Sequence, residues 1–384
     1  MNRSLYSGVK GERSLPCLSP KGAFTFIDLF AGVGGFRKGF EAISGTCVFA
    51  CERDPHAQAT YRANYPCHDH ELAEDITTLR LEKIPSHDVL LAGFPCQPFS
   101  LAGIPAQKHH GKASGFACKE QGFLFFDIVR ILDFHRPKVF VLENVKHLTR
   151  HDQGRTWRLI LHTLSVDLGY HVQGRVLNAR FWVPQNRERV FIVGFREQTG
   201  FCFDTMPLPS RPCPFVLQDI LHPEDGTEEA ELPYTEGRKG IVSGKYTLSD
   251  RIWAYLQSHT RKHREKGNGF GYSLADRNSA SRTLSARYYK DGSEILIPQR
   301  DKNPRRLTPR ECARLMGFDR PGESLFIIPV SDIQAYRQFG NAVVAPVAEA
   351  LAWHMKPWLP SDPSHASVSR STSRRFNDVF NIHP

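Results

Sequence analysis

The chain has 384 residues, of which 40% are hydrophobic and 23% charged, so it is long enough to bury a large core and to form two domains. No apolar run is long enough to span a bilayer, and residues 1–21 lack the apolar core of a signal peptide, which favours a protein that stays in the cytoplasm. Nine cysteines occur without a CxxC pair or a histidine-rich cluster, which argues against a zinc site and against a disulfide framework.

The positive charge is unevenly distributed along the chain. The net charge is +10, and much of the excess falls between residues 238 and 314. A clustered positive field indicates a polyanionic partner such as nucleic acid. A solvated basic surface without a specific partner explains the same charge, so this feature alone leaves both interpretations open.

The first ordered structure is expected near residue 24. Residues 1–22 are polar, contain glycine and proline, and are typical of a flexible N-terminal segment. Residues 24–30 predict a strand, a glycine-rich turn follows at 31–35, and residues 36–43 have helical spacing. A dinucleotide motif that starts at Gly32 would need glycine where Arg37 stands, so the pattern favours a nucleoside without pyrophosphate.

A second strand supports this nucleoside pocket. Residues 47–52 end in Glu52, about 20 residues after the glycine turn, where a carboxylate can hold ribose hydroxyls. Residues 54–65 predict a helix, and Asp75 and Ile76 precede a less regular stretch that reaches residue 85.

A cysteine between two prolines is the candidate nucleophile. Residues 88–92 predict a buried parallel strand, and GFPCQPFS follows at 93–100, so Cys96 leaves the sheet at the edge where open α/β sheets bind ligands. Pro95 and Pro98 restrict the backbone around Cys96, which suits a nucleophile, although a structural cysteine in a turn is the alternative. Residues 101–121 are rich in glycine, lysine and histidine, which indicates a mobile functional loop.

A carboxylate and two arginines follow on later strands. Residues 122–132 predict a helix, and residues 137–145 predict a buried strand that carries Glu143 near its carboxyl end. Parallel strands would bring Glu143 and Cys96 to the same edge. After a helix at 154–168, Arg187 and Arg189 lead into a strand at 190–195 and are expected to point to one side as a clamp for an anion or a base.

The pattern changes near residue 207. From there to about residue 292 the alternation of strands and helices is lost, and basic residues mix with aromatic ones, which suits contact with nucleic acid. Thr308, Pro309 and Glu311 then predict a capped helix, and a further apolar helix spans 336–353. The expected organisation is a flexible segment 1–22, a catalytic and cofactor-binding domain 23–197, a smaller irregular domain 198–325, a returning C-terminal segment 326–358 and a disordered tail 359–384.

These motifs closely resemble those of the DNA (cytosine-5) methyltransferase family, and they occur in the family's order. The matching stretches are DLFAGVGGF, the acid Glu52, Asp75 with Ile76, GFPCQPFS, GFLFFDIVRIL, LENV, QNRERVFIVG, RRLTPRECARLMGF and QFGNAVV. Within the family, residues 267–272 and 281–297 resemble the Dcm-like bacterial group of type II restriction-modification enzymes, whose members methylate cytosine in short sites that begin with CC. The resemblance implies a Rossmann-like α/β sheet that uses S-adenosylmethionine, with residues 198–325 as the target-recognition domain.

The resemblance also implies the catalytic residues. Cys96 would add to C6 of a cytosine flipped out of duplex DNA, and Glu143 would stabilise the charge that develops on the ring. Arg189, with Arg187, would brace the same base. Gln97 and Ser100 would lie near the flipped base, under the closing loop.

The implied cofactor is S-adenosylmethionine, with Glu52 on the ribose and Asp75 near the adenine amine. The residues that match the family's cofactor pocket are Phe30, Ala31, Gly32, Gly35, Glu52, Asp75, Ile76, Leu124, Asn341 and Ala342. No metal is expected.

The implied partner is double-stranded DNA, and a cognate restriction endonuclease acting on the same site is a further expected partner. We expect a bacterial, nucleoid-associated monomer that does not bind membranes. An RNA cytosine-5 methyltransferase and a catalytically inactive DNA-binding relative are the alternatives. The sizeable basic region at 198–300 favours DNA over RNA, and the intact Cys96, Glu143 and Arg189 favour an active enzyme.

Overall fold

The computed structural model describes residues 23–65, 72–95, 124–209, 213–269 and 271–360. The predicted flexible segment 1–22, the predicted loop 101–121 and nearly all of the predicted tail lie outside these ranges. Three predicted site residues, Cys96, Gln97 and Ser100, also lie outside them.

A seven-stranded sheet organises the described residues. Its strands are β1 (Phe24–Leu29), β2 (Gly45–Cys51), β3 (Leu72–Ala73), β4 (Val89–Gly93), β5 (Val139–Val145), β6 (His171–Asn178) and β7 (Glu188–Phe195). They are arranged in the order β3-β2-β1-β4-β5-β7-β6. The pairs from β3 through β5 are parallel, whereas β7 is antiparallel to β5 and β6. The predicted Rossmann-like α/β sheet is therefore confirmed.

Two strands of the sheet, β3 and β6, carry no recognisable signal in the sequence. In β6, which lies at one edge of the sheet, Leu177 is the buried residue and the other positions are exposed or half-buried. An edge strand with so little buried apolar surface has no hydrophobic periodicity from which it could be predicted. β3 has two residues, which is too short for any periodicity.

Helices cover both faces of the sheet. They are α1 (Gly35–Glu41), α2 (Pro55–Asn64), α3 (Leu124–His135), α4 (Arg155–His162), α5 (Leu217–Ile220), α6 (Asp250–Glu265), α7 (Pro309–Leu315), α8 (Asp332–Asn341) and α9 (Ala345–Met355). Side chains of β1 alternate between two hydrophobic clusters, so that Phe26 lies with α1 and α9 on one face and Ile27 with α3 and α4 on the other. The approach of α9 to α1 is close, because a Cβ at Gly39 would lie 2.5 Å from the backbone nitrogen of Glu349.

The region predicted to lack regular structure contains a long helix. α6 has 16 residues and begins at Ser249, whose side chain accepts a hydrogen bond from the backbone N–H of Ile252. The prediction was wrong for this stretch because most residues of α6 are polar or charged and Leu256 is its buried residue, so the helix has little apolar surface from which it could be predicted. Four short strands accompany it: β8 (Thr235–Glu236), β9 (Ile241–Val242), β10 (Ile297–Gln299) and β11 (Lys302–Arg305).

The two predicted domains share one hydrophobic cluster. Phe203, Leu284 and Ile297, from the predicted second domain, belong to the same cluster as Phe36 of α1 and Leu351 of α9. The proposed boundaries at 197, 325 and 358 stay predictions.

A buried ion pair fixes the start of α7. The predicted capping box is present, since Thr308 Oγ1 accepts the N–H of Glu311 at 3.1 Å and the Glu311 carboxylate accepts the N–H of Thr308 at 2.8 Å. Arg305, at the end of β11, donates two hydrogen bonds of 2.8 Å to the same carboxylate. Burial alone would raise the pKa of Glu311, but the charge and hydrogen bonds of Arg305 outweigh it and lower the pKa to about 2.

We expect the protein to lose stability as the pH falls from about 5 toward 3, and the Glu311→Gln variant to lose less. The lowered pKa means that the unfolded state takes up the proton first, so the stabilisation is present above the ordinary pKa of the carboxyl and disappears as the pH approaches the folded-state value. At neutral pH the variant should be about 3–5 kcal/mol less stable, because the buried charge of Arg305 loses the carboxylate that neutralises it. Urea unfolding of both proteins at neutral pH and between about pH 5 and pH 3 measures these differences in stability. An equal dependence of stability on pH in the wild type and the variant would contradict the role of Glu311.

Candidate active site

One cavity at the carboxyl edge of the sheet brings the predicted site residues together. Its volume is about 450 Å³, within the range of small-molecule sites. All predicted site residues that lie within the described ranges line it: Phe30, Ala31, Gly32, Gly35, Glu52, Asp75, Ile76, Leu124, Glu143, Arg187, Arg189, Asn341 and Ala342. Residues as far apart in the sequence as Phe30 and Ala342 thus face one space.

The turn after β1 shapes one wall of the cavity. Gly34 has φ of 84°, and a Cβ there would lie 2.5 Å from the Tyr65 ring, so the turn requires glycine at this position. A Cβ at Gly35 would collide with the backbone carbonyl of Val343. The turn therefore allows the C-terminal part of the chain to close over it.

Arg37 has a structural task. Its side chain is buried, with Nε donating to Glu41 Oε1 at 2.6 Å and Nη1 to the Tyr61 hydroxyl at 3.0 Å. The guanidinium also lies 4.3 Å from the centre of the Tyr65 ring. The residue that breaks the dinucleotide motif thus holds α1 against α2.

Glu52 is held at the end of β2 by backbone donors. The N–H of Gly32 donates to its Oε2 at 2.7 Å, and the N–H of Asp54 donates to its Oε1 at 2.8 Å. Burial raises the pKa of Glu52, and these two hydrogen bonds oppose the rise. Each carboxylate oxygen keeps a lone pair, so Glu52 can accept hydrogen bonds from a pair of hydroxyl groups in the cavity.

Asp75 is a second anionic acceptor that lines the cavity. Its Oδ1 accepts hydrogen bonds from the Thr77 backbone at 2.9 Å and from the Thr77 hydroxyl at 2.8 Å. These bonds lower the pKa of Asp75, so the carboxylate is ionised at neutral pH. The buried Ile76 and the half-buried Leu124 supply apolar surface beside it. An acid next to apolar side chains suits a flat, amine-bearing ring.

Glu143 lies beside residues 93–95, which lead into the cysteine loop, the segment of the GFPCQPFS motif that contains Cys96. It is paired with Gly93 across the parallel strands β5 and β4, and Pro95, the residue before Cys96, lines the same cavity. Glu143 is 7% exposed, and the Nε of Arg189 lies 3.2 Å from its Oε1. Burial raises the pKa of Glu143, while the charges of Arg189 and Arg187 oppose the rise. A carboxyl group in this environment can share a proton with a ring nitrogen in the cavity.

The sequence analysis gave no role to Asn144, although it lies in the LENV motif. Its side chain is buried, and its Nδ2 donates to the carbonyl oxygen of Phe94 at 2.9 Å. This hydrogen bond fixes the backbone two residues before Cys96. The signal in the sequence was an amide residue near the end of a buried strand, where a polar side chain needs a specific partner.

Arg187 does not pair with Arg189 along one strand edge, because β7 begins at Glu188. Its Nη1 donates to the carbonyl of Leu284 at 2.8 Å, and its Nη2 donates to the carbonyls of Gly340 and Ala342 at 2.9 Å each.

The guanidinium of Arg187 is 2% exposed, and burial together with Arg189 lowers its pKa to about 9, so it stays charged at neutral pH. Arg187 thus ties three distant segments together at the wall of the cavity. A role in bracing a base stays a prediction.

Among the residues that the structure describes, no group of three or more histidine, cysteine, aspartate or glutamate side chains could hold a metal ion. Within the same ranges, no helix has both the length and the apolar character needed to cross a membrane.

Comparison with known proteins gives a consistent result. The family model for the C-5 cytosine-specific DNA methylase matches residues 24–357. The DNA-cytosine methyltransferase of Escherichia coli K12 is 46% identical over 390 aligned positions, which cover 89% of this chain and 79% of that protein. The type II methyltransferase M.DsaV of Dactylococcopsis salina is 47% identical over 338 positions, covering 87% of this chain and 86% of that protein.

Solved structures share the fold at low sequence identity. The crystal structure of the S. pombe Dnmt2 methyltransferase aligns with a TM-score of 0.62 at 18% identity, over 87% of this chain and 99% of that one. A Dnmt2 variant from Spodoptera frugiperda aligns with a TM-score of 0.63 at 19% identity, over 86% and 99% of the two chains. These two structures support the arrangement of the sheet and its helices.

We expect Arg187→Met to destabilise the folded protein by at least about 3 kcal/mol, because each of three buried carbonyl oxygens would lose its donor at about 1–3 kcal/mol. Urea unfolding at neutral pH measures the change. Arg180→Met is the matched control, since Arg180 is exposed between β6 and β7 and its loss should change the free energy of unfolding by less than about 0.5 kcal/mol. Equal stability of the two variants would show that these three hydrogen bonds contribute nothing to the free energy of unfolding.

Proposed function

Because the chain belongs to the C-5 cytosine-specific DNA methylase family, we propose that it transfers a methyl group from S-adenosylmethionine to C5 of a cytosine flipped out of duplex DNA. The observation that carries the proposal is the pair of Glu143 and Arg189 in the cavity that also contains Glu52. A base-recognising acid and a hydroxyl-binding acid then face the same space, next to the residue that precedes Cys96.

Cys96 is the proposed nucleophile. C5 of cytosine is a weak nucleophile, so a thiolate first adds to C6, which forms a carbon–sulfur bond and moves electron density to C5. C5 would then bond the methyl group as the bond between that group and the sulfonium sulfur of the donor breaks. A base would take the C5 proton, and the electron pair left behind would re-form the C5–C6 double bond as the bond to Cys96 breaks and releases the thiolate. The relation of Gly93 to Glu143 across the two strands supports this role, because it brings the start of the cysteine loop to the acid.

Glu143 and Arg189 have complementary tasks in this proposal. Addition at C6 makes the ring more basic at N3, and burial, which raises the pKa of Glu143, makes its carboxyl group better suited to sharing a proton with N3. Arg189 holds the carboxyl in place through the 3.2 Å contact and adds positive charge near the ring. Both side chains are largely withdrawn from water, which strengthens their effect on the developing charge.

The cavity at the ends of β1 and β2 fits S-adenosylmethionine, which supplies an electrophilic methyl group when it is bound. Glu52 would accept hydrogen bonds from the ribose hydroxyls, and Asp75 would accept one from the adenine amine. Ile76 and Leu124 would contact the adenine ring, while Asn341 and Ala342 close the opposite wall. The glycine turn at Gly32 lets the cofactor approach the backbone.

Duplex DNA is the proposed substrate, and the basic region that includes α6 supports it. A stacked cytosine cannot reach a cavity of this kind, so the base must leave the helix. Arg251, Arg261, Lys262 and Arg264 of α6 are exposed and can contact phosphates. The competing proposals are an RNA cytosine-5 methyltransferase and a catalytically inactive DNA-binding relative.

The relatives at 44–47% identity include several that are named type II methyltransferases. This supports a role in a restriction-modification system, in which methylation protects a site from a cognate endonuclease. A target that begins with CC is the corresponding proposal for sequence specificity.

Expression in a host without cytosine methylation tests the proposed function. We expect bisulfite sequencing of the host DNA to show one short motif methylated at one cytosine, and the Cys96→Ser variant to leave the same motif unmethylated because its hydroxyl is a far weaker nucleophile. Unmethylated DNA from a well-folded protein would contradict the DNA proposal. The same measurement on RNA would then separate the RNA enzyme from the inactive relative.

Two variants separate cofactor binding from chemistry. Glu52→Ala should weaken S-adenosylmethionine binding by about 1.5–3 kcal/mol, because a charged acceptor for hydroxyl groups is lost. Glu143→Gln should bind the cofactor normally and lower the methyl-transfer rate by about 10²–10⁴-fold. Calorimetric titration and single-turnover transfer of a labelled methyl group measure these effects.

The control for Glu52→Ala is Glu74→Ala, since Glu74 is an exposed carboxylate that lines the same cavity. Normal cofactor affinity in Glu52→Ala would refute the ribose assignment. A normal transfer rate in Glu143→Gln would refute the role of the acid.

A further inference from the structure

Two histidines of α6 lie one helical turn apart. His259 and His263 are separated by four positions, so their side chains project from the same face of the helix. Both are half-buried, at the surface of the molecule. The proposed methyl transfer uses neither of them.

The two imidazole rings lie side by side. Their Nε2 atoms are 3.1 Å apart, their centroids are 4.2 Å apart, and the ring planes meet at 48°. If the rings faced each other end to end along a hydrogen bond, the distance between the ring centroids would be longer than the distance between the Nε2 atoms by one ring radius for each ring. The observed excess is 1.1 Å, from 3.1 to 4.2 Å, so both Nε2 atoms lie toward the same end of the pair.

This arrangement fits a shared metal ion. Zinc binds imidazole nitrogen at about 2.0–2.1 Å. An ion at that distance from two nitrogens 3.1 Å apart makes an angle of about 100° between them, which lies between octahedral and tetrahedral geometry. The spacing of four positions between two histidines on one helical face also occurs in zinc-binding helices.

A second contact prepares His263 as a ligand. Its Nδ1 lies 2.6 Å from Oδ1 of Asn268, which can only accept, so Nδ1 carries the hydrogen and the lone pair belongs to Nε2. Histidine ligands commonly donate their other ring N–H in this way to an oxygen acceptor. The backbone N–H of Asn268 also donates to the His263 carbonyl at 3.1 Å, which holds the amide in place.

The donor atoms and the charges near the two histidines indicate which kind of ion the pair can bind. His263 lies in the last turn of α6, where the helix dipole favours a cation, but the exposed Lys262 and Arg264 are also nearby. Two neutral nitrogen donors without a carboxylate do not suit Mg²⁺ or Ca²⁺, which take oxygen ligands. Imidazole suits Zn²⁺, Ni²⁺ and Cu²⁺.

We propose that the Nε2 atoms of His259 and His263 bind one divalent transition-metal ion, with water completing its coordination. The ion bridges one turn of α6 and, through the contact of His263 with Asn268, fixes the start of the segment that returns along the helix. Tyr272 belongs to that segment, and its backbone N–H donates to Thr260 Oγ1 at 3.1 Å. The site is independent of the proposed methyl transfer.

Calorimetric titration of the metal-free, untagged protein with Ni²⁺ tests the site. We expect one binding event that His259→Ala and His263→Ala each abolish and that Asn268→Ala weakens by about 10- to 100-fold. The control is His147→Ala, which should bind as the wild type does. His147 and His151 are also four residues apart, but their ring centroids are 6.2 Å apart and nearly perpendicular, at 86°.

Superimposable titrations of the wild type and His259→Ala would overturn the proposal and leave a hydrogen-bonded histidine pair. A second measurement guards against variants that fold poorly. With one equivalent of Cu²⁺, electron paramagnetic resonance should show coupling to two imidazole nitrogens in the wild type and to one in His259→Gln. A wild-type spectrum without nitrogen coupling would also overturn the proposal.

Discussion

The parallel pairing of β4 with β5 is the interaction on which the site depends. It sets Gly93 opposite Glu143, so that the chain entering the cysteine loop and the acid reach the same edge of the sheet. The hydrogen bond from Asn144 to the carbonyl of Phe94 continues this pairing past the end of β4. A shift of one residue in the register would turn Glu143 to the opposite face, where it would meet the apolar cluster under α3.

Charges in the cavity are buried only because the whole chain contributes partners. Moving an ion out of water costs several kcal/mol, and an unpaired one would be excluded from the site. Glu143 is offset by Arg189, and Arg187 is offset by carbonyls from residues 284, 340 and 342. These partners come from separate parts of the sequence, so the site forms only when those parts of the chain pack together in the folded protein.

The C-terminal segment closes the cavity through close backbone contacts. Gly39 lets α9 approach α1, and Gly35 lets the carbonyl of Val343 approach the turn after β1. The wall that contains Asn341 and Ala342 is thereby placed against the wall that contains Glu52. The pair of histidines on α6 stands apart from this arrangement, since both lie on one helix and His263 contacts Asn268 just beyond its end.

The sequence by itself determined the buried strands β1, β2, β4, β5 and β7, the capped start of α7 and the identity of the acids at the strand ends, because apolar runs and capping residues are local signals. It did not reveal β6 or α6, whose exposed positions carry no periodicity. Nor did it separate Arg187 from Arg189, which are alike in type and two positions apart. Only the tertiary structure decided that one contacts Glu143 while the other holds three carbonyls, because those partners are brought near by packing between distant segments.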